Sequence, residues 1–144
     1  MVGPIEPHLQ YGFVCSTVLQ EKDGVFSFVR VVNQAEITIS GTEPPETLPP
    51  GLVPVTIVMG WGGGLGTHEA AFNIICPGGE TQLSPQTWSF NLEAIHKTHV
   101  IVAQVPIKVT RPGVYWIEFV LNGGIKGRTP YQILYRRQQL RKPG

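Results

Sequence analysis

The chain is poor in charge, in cysteine and in long apolar runs. Asp, Glu, Lys and Arg make up only 15% of its 144 residues, against about a quarter in ordinary globular domains. The formal net charge is +1, so no strong field draws the chain as a whole to nucleic acid or acidic lipid, and a nucleic-acid partner is not expected. No apolar stretch approaches the roughly 20 residues of a membrane span, so no membrane partner is expected either. The two cysteines, Cys15 and Cys76, sit in apolar runs at a spacing that matches neither CxxC nor a zinc pattern, and they read as buried free thiols. Residues 1–8 lack the basic start and apolar stretch of a secretory signal, which points to the cytoplasm. After Glu118 there is no acidic residue, while Lys126, Arg128, Arg136, Arg137, Arg141 and Lys142 hold six of the eleven basic side chains. Residues 137–144 thus read as a short basic tail. Arg136, Arg137, Arg141 and Lys142 are candidate contacts for a phosphate or an acidic partner, weighed against a solvated tail that only aids solubility.

What the chain has in plenty is glycine and proline, 17 and 13 of them, together with period-2 hydrophobicity. Tyr115, Ile117, Phe119 and Leu121 alternate with Val114, Trp116, Glu118 and Val120, which is the pattern of a half-buried strand. Asn122-Gly123 follows, the strongest short hairpin signal, because both central positions of a type I′ turn take positive φ. Tyr131, Ile133 and Tyr135 mark the return strand. Ile101, Ala103, Val105, Ile107 and Val109 form another alternating set, with Pro106 arguing for an edge or a bulge. At the N-terminal end Tyr11, Phe13, Cys15, Thr17 and Leu19 alternate before the turn Glu21-Lys22-Asp23-Gly24, and Val25–Asn33 runs back. Glu36–Ser40 continues past a kink. Thr42–Pro54, with five prolines, reads as a connection that cannot enter a central ladder. Val55–Met59, Ala70–Cys76 and Trp88–Leu92 complete the set, and only Glu93–Lys97 could turn helically. The expectation is one domain over 1–144, an all-β, immunoglobulin-like or C2-like antiparallel β-sandwich of seven to nine strands. Phe13, Cys15, Val55, Ile57, Phe72, Ile74, Val105, Ile107, Tyr115, Ile117, Phe119 and Ile133 are its expected core.

The most distinctive stretch is Gly60-Trp61-Gly62-Gly63-Gly64-Leu65-Gly66. A glycine-rich loop can aim N–H groups at a phosphate, but here neither a lysine nor a helix follows, and a flexible hairpin loop is the simpler reading. The functional alternative is a loop closing over a small-molecule ligand, with Trp61, Gly63, Gly64, His68 and Glu69 as the ligand-binding candidates and Trp61 exposed. His96 and His99 resemble metal ligands, yet three residues apart on one strand they face opposite ways, so no metal site is assigned. No cofactor fingerprint, nucleophile elbow or carboxylate pair stands out, and no catalytic residue is assigned. Trp61, Trp88 and Trp116 could stack on sugars or bases, although large aromatics in alternating strands are usually core.

Val14-Cys15-Ser16, the segment Glu21 to Asn33, and the segment Arg111 to Gly123 resemble the opening and closing hairpins of a widespread uncharacterised family of small bacterial β-sandwich proteins, a domain of unknown function. The resemblance spans residues 8 to 136 and implies a fold and a bacterial, cytoplasmic setting, but it transfers no catalytic residue. The glycine run and the long Pro-rich insert depart from that pattern. Two functions remain: a non-enzymatic protein-binding or assembly module that meets itself, as an oligomer, or another protein through β surface, and a small-molecule-binding, metal-binding or hydrolytic domain built on the glycine loop with Trp61, His68, Glu69, His96 and His99. The first is preferred because more strands are apolar on both faces than one sandwich core needs.

Overall fold

A computed structural model describes residues 2–39 and 51–137. These form ten strands: β1 (His8–Gln20), β2 (Phe26–Val32), β3 (Gln34–Ile39), β4 (Gly51–Gly62), β5 (Gly66–Ile75), β6 (Thr81–Leu83), β7 (Trp88–Leu92), β8 (Thr98–Val109), β9 (Gly113–Leu121) and β10 (Gly124–Arg137). The first sheet has the order β2-β1-β4-β8, and the second β3-β10-β9-β5-β6 with β7 also on β5. The chain is thus an all-β sandwich. Its ten strands exceed the seven to nine expected, in part because the run from Val25 onward divides between the sheets at Asn33. Past that residue β3 joins the second sheet parallel to β10, with Gln132↔Gln34 and Ile133↔Ala35, and the Gln132 N–H donates to the Asn33 carbonyl at 2.8 Å. The other pairings are antiparallel.

The alternating sets face one another across the core. Ile57, Met59 and Trp61 of β4 and Ile101 to Val109 of β8 meet Phe72 and Ile74 of β5, Tyr115 to Leu121 of β9, and Tyr131 and Ile133 of β10. Each such side chain contributes about 1.5–3 kcal/mol when fully buried. Of the twelve expected core residues eleven are buried, and Phe13 is not. It lies on the outer face of the first sheet, opposite Val58, while Gly12 beside it faces inward so closely that a Cβ there would sit 2.5 Å from the Phe119 ring.

The Pro-rich connection ends earlier than its sequence suggests. Its residues 42–50 lie outside the described residues, but Gly51–Pro54 already belong to β4, where Pro54 stands opposite Pro106. Two prolines tolerate this because the Pro106 carbonyl and the Lys108 N–H turn away from β4 and bond the side chain of Gln82, at 2.8 and 3.0 Å. The pair is therefore a non-hydrogen-bonded one, and Pro54 directs its backbone toward β1. It has no N–H to give there. Accordingly the β1–β4 ladder runs from His8↔Gly62 to Cys15↔Thr56 and stops, since the next hydrogen-bonded pair would set Thr17 against Pro54. At the same level Arg30 of β2 takes φ 56°, and beyond it β1 stays with β2 while β4 stays with β8.

Candidate functional site

Three residues, 63–65, carry the chain from β4 in one sheet to β5 in the other. The glycine run is therefore a corner between sheets and not the hairpin loop its flanking strands suggest. Gly63 and Gly66 hold φ 77° and 91°, the left-handed region that side chains disfavour. Gly64 lies against the backbone of Ile5 and Pro7, where a Cβ would come within 2.7 Å. The N-terminal segment straps the corner down: the Leu65 N–H donates to the Ile5 carbonyl and the Gly3 N–H to the Thr67 carbonyl, both at 2.9 Å. That packing leaves no room for a ligand over Gly64.

His68 is buried directly below, at 2% exposure. Its Nε2 lies 2.9 Å from the Leu65 carbonyl and its Nδ1 3.0 Å from Asn122 Nδ2. An amide nitrogen only donates and a carbonyl only accepts, so the two contacts assign one neutral tautomer, with the proton on Nε2. Asn122 uses its Oδ1 to accept from the Glu69 N–H at 3.0 Å, and its own N–H donates to the Glu69 carbonyl at 2.8 Å. The β9–β10 turn, with φ 49° at Asn122 and 84° at Gly123, is thereby fastened to the corner. Both ring nitrogens are spent on structure. Asn122 is the partner that sequence reasoning missed. The Asn-Gly turn was visible, but its neighbour across 54 positions was not.

The remaining candidates do not converge. Trp61 is fully buried, contrary to its expected exposure, because the alternation Ile57, Met59, Trp61 carries it inward, and its Nε1 has no hydrogen-bond partner among the described residues. Glu69 is exposed, at a polar depression of about 310 Å³ shared with Thr67, His68 and Asn122. Glu6 pairs with Lys126 at 2.5 Å, and the ammonium holds that carboxyl below the usual carboxylate range. His96 lies exposed in a turn, whereas the His99 ring stacks on Phe90 with centroids 4.8 Å apart, and burial lowers its pKa. Among the described residues no three His, Cys, Asp or Glu side chains gather as a metal site. Trp88 stacks on Phe72, but Trp116 is on the outer face of the second sheet under the Arg128 guanidinium, 4.4 Å from its ring, so it is no core residue. Arg136 is exposed and 3.5 Å from Glu36. Arg141 and Lys142 lie outside the described residues. Among those residues no helix is long and apolar enough to cross a membrane.

A different surface emerges from the strands themselves. No Asp, Glu, Lys or Arg occurs in Tyr11–Gln20, Gly51–Gly62 or Thr98–Ile107, so three adjacent strands present an outer face that is uncharged up to Lys108 near the end of β8. Tyr11 lies over Gly60, where a Cβ would overlap its ring. Phe13 meets Phe28 edge-on at 5.0 Å, Tyr11 lies 5.8 Å from both rings, and Phe26 stacks on Phe28 at 6.3 Å. Around this cluster Val102, Val29, Val31 and Leu19 are 37%, 40%, 60% and 51% exposed. The chain matches no protein-family model, no curated protein and no solved structure.

Proposed function

We propose that the protein is a non-enzymatic interaction or assembly module that associates, with a second copy or another protein, through the outer face of its first sheet. The observation that carries this reading is the uncharged face of β1, β4 and β8, with the aromatic cluster Tyr11, Phe13, Phe26 and Phe28. A small sandwich covers one face of each sheet with its own core, and a broad apolar outer face gains when another surface covers it. A bacterial, cytoplasmic setting within the family of small β-sandwich proteins accompanies this reading on the strength of the hairpin motifs alone. An immunoglobulin-like type of sandwich is supported by Tyr115, near the start of β9, whose hydroxyl donates to the Arg111 carbonyl at 2.8 Å, a corner seen in such domains. Sedimentation of the pure chain across micromolar concentrations, followed by partner pull-down from its native cell, each with and without Val102→Lys, tests the proposal, which requires association that the substitution abolishes.

A further inference from the structure

Where β1 leaves β4 the first sheet divides. Residues 16–20 of β1 keep β2 on one side, and residues 51–55 of β4 keep β8 on one side, but among the described residues neither segment has a strand on the side facing the other. The wedge between them has a volume of about 590 Å³ and reaches the core: Val14, Val32, Val55, Val105 and Tyr131 line it. That volume lies within the roughly 300–1,000 Å³ of ligand clefts. We propose that the wedge between β1 and β4 is an acceptor site for an extended, uncharged peptide strand.

Two observations specify the occupant. Each wall is a strand edge, and apart from the N–H that Pro54 lacks, its backbone N–H and C=O groups beside an apolar floor need partners that another strand supplies in register. Moreover, none of the side chains lining the wedge is charged, so a charged residue directed at its apolar floor would lose water without an ion partner there. The occupant is therefore neutral, with an apolar side chain directed at Val14, Val105 and Tyr131. The chain's own residues 40–50 are a poor match in sequence, since Pro44, Pro45, Pro49 and Pro50 lack N–H donors and Glu43 and Glu46 bring charge. The wedge opens at one end of the face proposed for association and shares β1 and β4 with it, but a strand seated in the wedge needs only the edges of residues 16–20 and 51–55 and not the aromatic cluster.

The test uses the full-length chain, ¹⁵N-labelled, titrated with the capped peptide acetyl-Thr-Val-Thr-Val-Thr-amide and watched by amide shifts and hydrogen exchange. The expected result is saturable binding with shifts confined to residues 14–20 and 51–56 and to the lining positions Val32, 104–106 and Tyr131, weakened at least tenfold by Ser16→Arg, an exposed position. A capped Thr-Glu-Thr-Glu-Thr peptide should bind at least tenfold more weakly. The proposal is overturned by any of four results: no saturable binding, shifts centred on β2's outer edge or on β3, equal affinity for the acidic peptide, or full affinity in the Ser16→Arg variant. Amides of 16–20 and 51–55 already protected throughout in the free protein would also overturn it, because the groove would then be filled by the chain itself.

Discussion

The two sheets share one core but differ on their outer faces. On the second sheet Glu69, Glu118, Arg128, Glu36 and Arg136 interrupt the apolar residues, Arg136 pairs with Glu36, and Arg128 covers Trp116. On the first sheet the aromatic rings lie against each other and over Gly60, and the charged residues are Arg30 of β2 and Lys108 of β8. Charge on a strand face keeps it in water, so the contrast separates a face built to remain solvated from one that gains by being covered.

The sharpest way to break the account at the level of stability lies where the sheets are joined. His68→Leu leaves the Leu65 carbonyl and the Asn122 amide unpaired, and at about 1–3 kcal/mol for each stranded group the substitution should cost roughly 3 kcal/mol in urea unfolding. A loss below about 1 kcal/mol would mean that the corner does not fasten β5 to the β9–β10 turn.

The outer faces themselves are compared by truncating one aromatic on each. Phe13→Ala should cost about 2 kcal/mol, below the 3–5 kcal/mol of a fully buried Phe because the ring is half-exposed. Trp116→Ala should cost about 1 kcal/mol, chiefly a surface cation–π contact and some packing. Equal costs, or the reverse order, would contradict the claim that the first sheet's rings form a cluster of their own.

A smaller effect comes from pH. Burial lowers the pKa of His99 from 6.5, so the unfolded chain takes up the proton more readily than the folded one, and the stability that the neutral ring contributes is lost as pH falls through that range. The urea midpoint of the wild-type chain should therefore drop more between pH 7 and pH 5 than that of His99→Phe. Parallel curves would show that the ring stacked on Phe90 stays accessible to protons.

The sequence made the core legible and the outer surfaces much less so. Period 2 places Tyr115, Ile117 and Phe119 inward because Glu118 marks the alternate face of β9 as the outer one. On β1 both faces are apolar, and alternation alone cannot choose between Phe13 and Val14; the chain buries Val14 because Gly12, two residues earlier, lets β1 approach Phe119. Trp61 was readable from Ile57 and Met59 had the glycines around it not suggested an open loop. The sheet change at Asn33, the parallel β3–β10 pair and the His68–Asn122 contact depend on chain segments far apart in sequence, and no local pattern encodes them.

The smallest change in stability carries the largest consequence for function. Val102→Lys on the first sheet and Gln132→Lys on the second are partly or fully exposed substitutions, each expected to alter stability by about 0.5 kcal/mol or less. Sedimentation velocity of the wild type and both variants over the same concentration series tests the central claim most directly. The account predicts a concentration-dependent associated species for the wild type and for Gln132→Lys, and a monomer for Val102→Lys. A wild-type chain that stays monomeric throughout and recovers no partner from its native cell, or a Val102→Lys variant that associates as well as the wild type, would contradict it.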